Sequence, residues 1–155
     1  IKQLNGKAAE GRRAAAVALA DLGADAAPAA AALEKRLADK DTSVADAAAI
    51  ALGKIGEPAL ARLRRALAKQ ELAASAMLGV EALGPAGAEL LPTLLTVFGK
   101  DTLDAERYKQ NSERAVKAIG ADAVAPLREG LKHHAQAADA ARLLGELKEL
   151  AQQPC

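Results

Sequence analysis

The chain has 155 residues, 21 basic and 20 acidic side chains, and 51% hydrophobic residues, of which only Tyr108 and Phe98 are aromatic. Near-zero net charge argues against nucleic acid as a partner, because phosphate contacts call for a basic excess, and against a polybasic membrane contact. No uncharged apolar run reaches the ~18 residues that a membrane span needs.

Ala and Leu supply 42 and 23 residues. Both are strong helix formers and β-branched residues are scarce, so the composition points to an all-α fold. The chain opens on Ile1 without a leader pattern, which reads as a processed or partial chain. A single Cys155 cannot close an internal disulfide and leaves the compartment open.

Taken in order, the elements form one repeated unit. The first unit, about residues 7–41, carries the phrase Ala15 to Gly23 (AAVALADLG), then Pro28 and a second helix with Leu33 and Leu37. Asp39 to Ser43 punctuates, and Asp41, Thr42 or Ser43 can cap the next helix through a side-chain oxygen. The second unit, 42–70, carries Ala48 to Gly56 (AAIALGKIG), Pro58, and Leu60, Leu63 and Leu67. The third, 71–101, carries Ala76 to Gly84 (AMLGVEALG), then Leu91, Leu94 and Leu95 around Pro92, which predicts a late start or a kink. It closes on Gly99 to Thr102.

The fourth unit, 102–133, carries Ser112 to Gly120 (SERAVKAIG), Pro126, Leu127 and Leu131. Its segment Asp104 to Asn111 reads as a helix extension or a longer connection. A terminal helix over 134–150 is expected to place Asp139, Arg142, Glu146 and Lys148 outward. Within it AADAARLLG repeats the frame weakly, with Leu144 and Ala140 in register before Gly145.

Aligned on the closing Gly, the phrases fill columns. One place before stand Leu22, Ile55, Leu83 and Ile119; four before stand Leu19, Leu52, Val80 and Val116; five before stand Ala18, Ala51, Gly79 and Ala115. Twelve before stand Gly11, Val44, Leu72 and Tyr108. At 3.6 residues per turn these columns share one face. The small column predicts close approach by another helix backbone. The closing Gly suits the left-handed conformation at a helix end, and a short polar turn should come after it.

This pattern of A-A-x-A-L-x-x-[LI]-G, a Pro-led second helix and an Asp-rich turn resembles HEAT-like repeats, above all the short bacterial kind and those of phycobilin lyases. The resemblance covers residues 7 to 150 and implies a right-handed α-α superhelix of four hairpins plus a terminal helix. Ten places before the closing Gly, where many such repeats carry Arg, Arg13 matches and Asp46, Ala74 and Gln110 do not. That leaves little basis for an Asp–Arg ladder.

Catalytic chemistry has little to build on. One Cys and the adjacent His133 and His134 fall short of a zinc set, and the two His read as solvated at a helix C-terminus. Gly84 to Gly87 matches no phosphate-binding fingerprint. No cofactor and no enzymatic activity are expected. With Leu60, Leu63 and Leu67 buried, Arg62, Arg65 and Lys69 fall on the opposite face. Lys35 and Asp39, Thr93 and Thr96, and Glu129 and His133 occupy that face in the other units, while Lys7, Arg12 and Arg13 read as surface. The expected role is a protein–protein interaction scaffold that binds a protein or peptide on the concave second-helix face through Arg62, Arg65 and Lys69. The resemblance also implies an alternative, a lyase-like or chaperone-like module for a tetrapyrrole or client subunit.

Overall fold

The computed structural model describes residues 2–96 and 105–152, and among them the fold is all-α with no strand. Four long helices alternate with four short ones. The long helices are α1 (Ala9–Leu22), α3 (Thr42–Ile55), α5 (Gln70–Leu83) and α7 (Ala105–Ile119); the short ones are α2 (Ala30–Arg36), α4 (Leu60–Leu67), α6 (Leu91–Leu95) and α8 (Val124–Gly130). A long helix α9 (His134–Gln152) comes last, and a 3-10 turn, Lys2–Asn5, precedes α1. The long helices form one layer in which α1 packs on α3, α3 on α5, α5 on α7 and α7 on α9. The short helices form a second layer, with α2 against α4, α4 against α6 and α6 against α8.

The closing glycines mark the ends of the first four long helices, at positive φ of 55° (Gly23), 83° (Gly56), 61° (Gly84) and 69° (Gly120). At Gly23, Gly56 and Gly84 the conformation is not the left-handed helical one that the sequence suggests. Where Gly23, Gly56 and Gly84 leave the helix, ψ is −128°, −141° and −137°, the opening of a type II′ turn that a Cβ strongly disfavours. Each closing glycine leads into a 3-10 segment rather than a polar turn: Gly23–Ala29, Glu57–Ala59, Gly84–Leu90 and Gly120–Ala123. Pro28 and Pro58 fall inside these segments. Pro92 is the second residue of α6, which begins seven residues after Gly84 just as α2 begins seven after Gly23, so the third short helix starts no later than the first. The weak fifth frame differs: Gly145 lies inside α9 and ends nothing.

In the second to fourth units the repeated columns lie in the core or pack against it, whereas Gly11, Ala18 and Leu22 of the first unit are exposed. Ala48, Ala51, Leu52, Ala76, Val80, Ala115 and Val116 are fully buried, as are Leu33, Leu63, Leu94 and Leu127 of the short helices. Leu131 is a correction, being 41% exposed just past α8. The long helices approach so closely that side chains give way to backbone. A Cβ built on Gly53 of α3 would collide with the Gly79 carbonyl oxygen of α5, and one on Gly79 would sit 2.7 Å from the Ala49 oxygen and 2.6 Å from Leu63 Cδ2. In α7 the segment Ala105 to Asn111 is indeed helical; Asp104 and the punctuation Gly99 to Thr102 lie outside the described residues. Asp41 caps α3, accepting from the Ser43 N–H at 3.0 Å and the Ser43 hydroxyl at 2.6 Å.

Gly53→Ala should destabilise the protein by about 1–3 kcal/mol, although Ala is the better helix former by about 1 kcal/mol. Ala51→Leu should do the same, since Ala51 is fully buried. Chemical denaturation of both variants checks this; unchanged midpoints would refute the close approach.

Candidate functional site

The short helices α2 and α4 lie side by side, and Arg62 and Arg65 of α4 meet α2 between them. Arg62 and Arg65 are three apart on α4, so both reach toward the same neighbour. That neighbour is Glu34 of α2: Arg62 Nη1 donates to Glu34 Oε2 at 2.5 Å, while Arg65 Nε and Nη2 donate to Oε1 at 3.0 and 2.8 Å. Burial alone would push the Glu34 carboxyl up, but the hydrogen bonds and charges of Arg65 and Arg62 hold it below the usual carboxylate range. Both arginines thus serve first as an interhelical clamp.

Lys69 lies past the end of α4 and immediately precedes α5. Together with Arg65 and Lys35 it rims a groove of about 240 Å³ whose lining includes Leu37, Ala66 and Leu72. Arg62 and Arg65 thus hold the Glu34 carboxylate, and Lys35 and Lys69 line the same groove as Glu34 and Arg65. Arg65 remains 58% exposed, which leaves its unused donors open to an incoming anion.

Other residues expected on this face go elsewhere. Asp39 turns inward with its side chain 3% exposed and meets Arg12, which is itself buried rather than a surface cation. Arg12 Nε and Nη2 donate to the two Asp39 oxygens at 2.8 and 2.7 Å, and Arg12 Nη1 donates to the Gly6 and Lys7 carbonyls at 3.1 and 2.8 Å. Arg36 Nη1 and the Asp41 N–H add bonds of 3.3 and 3.1 Å. Arg13, the residue that matches the repeat pattern, is exposed. The physical reason is helical phase: Arg12 faces the short-helix layer and Arg13 points about 100° away.

Thr96 donates from Oγ1 to the Thr93 carbonyl at 2.7 Å, and Glu129 pairs with Lys132 at 2.6 Å. Pro92, Thr96, Pro126, Glu129, His133 and Gln136 line a second depression of about 530 Å³. His133 is exposed in the turn after α8 and His134 opens α9, so the pair bridges two helices rather than ending one. Cys155 and Phe98 lie outside the described residues. Among the described residues no three His, Cys, Asp or Glu side chains gather as metal ligands, and no helix is long and apolar enough to cross a membrane.

The sequence reading also missed a row of charges along the long helices. Arg107 of α7 reaches past α5 to Asp46 of α3 and donates to Ser75 on the way at 3.0 Å. Arg114 pairs with Glu81 at 3.1 Å, Arg142 with Glu113 at 2.5 Å and Lys117 with Glu146 at 3.1 Å. Arg142 and Glu146 are therefore held against α7, not on the outer side of the last helix. Charge spaced at four along α7 was the available signal; which helix it served was not.

No protein family matches the chain, and no curated protein does either. Among solved structures, the crystal structure of an engineered protein from a structural genomics programme is similar, with 22% identity, a TM-score of 0.47, and coverage of 94% of this chain and 76% of that one. Overlap that loose transfers neither an arrangement nor an activity.

Arg12 holds the Asp39 carboxyl well below its ordinary range. A carboxylate whose pKa is depressed by folding stabilises the fold above its unfolded value, about 3.9, and that support is lost as pH falls through the folded value. Thermal melts taken from neutral pH into acid should show stability falling below about pH 4, with a shallower fall in Asp39→Asn. The Asn variant should also melt lower at neutral pH. Equal slopes for the two proteins would show that the Arg12–Asp39 contact does not titrate with folding.

Proposed function

We propose that this chain is a HEAT-like right-handed α-α superhelix that acts as a non-catalytic protein–protein interaction scaffold. It takes an acidic protein or peptide segment on its short-helix face at Arg62, Arg65 and Lys69. The observation that carries the reading is the groove itself: Lys35, Arg65 and Lys69 rim an aliphatic lining of Leu37, Ala66 and Leu72, with Glu34 the lone carboxylate. Such a surface suits a segment that alternates carboxylates with aliphatic side chains, one set meeting the cations and the other the lining.

The superhelix reading draws support from the alternation of long and short helices and from each long helix packing on the next. In an array of such pairs a small rotation from each pair to the next makes the stack curve, and we assign the concave side to the layer of short helices. The groove then lies on the inside of the curve.

Fluorescence anisotropy with a labelled Glu/Leu-rich peptide tests the reading, against a Ser/Leu peptide of equal length. The acidic peptide should bind in a salt-sensitive manner, and the triple variant Arg62→Glu, Arg65→Glu, Lys69→Glu should weaken it by tenfold or more, a change of about 1.4 kcal/mol. Glu34→Gln should strengthen it about twofold to fivefold, because a competing exposed ion pair worth about 0.5–1 kcal/mol is removed. Equal affinity for both peptides, or no response to the triple variant with its circular dichroism intact, would sink the proposal.

A further inference from the structure

The turn that precedes α1 and the turn that follows α2 meet around a cavity of about 310 Å³, lined by Gly6, Lys7, Arg12, Arg36, Asp39 and Lys40. It is separate from the groove between α2 and α4, and only Ala38 lines both. What it binds therefore does not depend on the reading of that groove.

The hydrogen bonds inside the cavity can be counted. The Asp39 side chain is 3% exposed and already accepts from Arg12 Nε and Nη2, from Arg36 Nη1 and from the Asp41 N–H. Two carboxylate oxygens offer about four lone-pair sites, so Asp39 has nothing left for a further cation. Arg12 spends its N–H groups on Asp39 and on the Gly6 and Lys7 carbonyls and keeps a single Nη2 hydrogen. Being 5% exposed, it is a fixed part of the wall.

Arg36 is held more loosely. It gives Asp39 one bond of 3.3 Å, its Nε is buried with no partner among the described residues, and its side chain is 25% exposed. A buried donor without an acceptor is costly, so this guanidinium is poorly satisfied where it stands. Lys7 and Lys40 are exposed, and neither ammonium has an ion pair or hydrogen bond among the described residues.

Charge narrows the choice of ligand. Lys7, Arg12, Arg36 and Lys40 bring four positive charges to the cavity. The carboxylates beside them are Asp39 and Asp41, and Asp41 is turned to cap α3. Two positive charges remain unmatched, on side chains that converge from either side. A single carboxylate would balance half of that excess. A dianion whose oxygens point in several directions balances it all and meets donors from each wall.

We propose that this cavity binds a phosphoryl dianion. Lys7 and Lys40 supply the charge contacts, the Arg36 fork turns from Asp39 onto the phosphoryl oxygens, and Arg12 Nη2 donates from the wall. Asp39 can release Arg36 because it keeps both Arg12 bonds and the Asp41 N–H. Inorganic phosphate and a phosphorylated side chain present the same group, and the test separates them.

The full chain is titrated by two-dimensional amide NMR at a pH of about 8, where both probes are doubly charged. The probes are inorganic phosphate and a capped Gly-phosphoserine-Gly peptide; chloride at equal ionic strength and the unphosphorylated peptide are the controls. Both probes should give saturable shifts at the amides of Gly6, Lys7, Lys40 and Asp41, and the controls none. Lys7→Gln and Lys40→Gln should each weaken binding about fivefold, and Arg36→Gln about tenfold. Both lysines are exposed, and unchanged amide positions elsewhere confirm that their variants fold. Tighter binding of the phosphorylated peptide assigns the site to a phosphorylated partner, and equal or weaker binding assigns it to the free ion. Shifts that never saturate, that chloride reproduces, or that both lysine variants leave unchanged overturn the proposal. So does saturation confined to the amides of Arg65 and Lys69.

Discussion

Everything in this fold depends on how closely α3 and α5 approach. Their backbones meet where Gly53 faces Gly79, at a separation that leaves no room for a Cβ on either. Ala buries little area, and at about 25 cal/mol per Å² no single Ala contributes much. A core made mainly of Ala and Leu therefore holds only if many small contacts form together, which requires parallel helices at minimal distance. The notch at Gly79 also receives Leu63 from α4, so one missing side chain couples the two layers. Packing within the long layer and packing between layers are consequently the same event at this point.

Close approach explains the polar rows as well. When long helices lie this near, side chains on their flanks span one helix to the next, and Arg107 spans two. Partly exposed pairs of this kind contribute about 0–1 kcal/mol each. Their distribution fits a role in register: Arg114 with Glu81, Arg142 with Glu113 and Lys117 with Glu146 each fix how far one helix slides along its neighbour. The Arg12–Asp39 contact is of another kind. It is buried, it also holds the carbonyls of Gly6 and Lys7, and it ties the chain's start to the turn between the first two helical pairs.

The long helices, their buried face and their closing glycines were legible because each is written four times. Repetition separates a face from chance, and Ala51, Gly79 and Ala115 sit where that face predicts. The connections were not legible, since a 3-10 segment and a polar turn use the same small and polar residues. Partner choice was harder still. Arg13 fits the repeat pattern, yet Arg12 is the one that folds back onto Asp39, 27 residues away. Arg62 and Arg65 leave α4 away from the buried Leu63 and Leu67, but Glu34 lies 28 and 31 residues before them, beyond what helical periodicity can relate. Periodicity gives the direction in which a side chain leaves its own helix and is silent about the end of a long flexible one. For the same reason Arg142 and Glu146 looked outward in the sequence and turn back to α7 in the structure.

Position in the stack, more than residue identity, decides what each side chain does. Ala18 and Ala51 occupy the same column of the same phrase; one is exposed and the other fully buried. The difference comes only from the helix that precedes each of them, which α3 has and α1 lacks among the described residues. In a linear array each pair leans on its neighbours, and interior pairs gain two interfaces where terminal pairs gain one. Among the described residues α3 and α5 have a long helix on both sides and α1 has one on a single side, so support differs along the layer even though α1 repeats the sequence pattern of α3 almost column for column. The groove between α2 and α4 is built on the well-supported side of that gradient. α2 packs against α3 and α4 against both α3 and α5, so Glu34, Arg62 and Arg65 are held by the most completely covered part of the long layer. A partner of the kind proposed would cost this cationic surface little side-chain and backbone freedom, which is the condition under which a small contact area can still be selective.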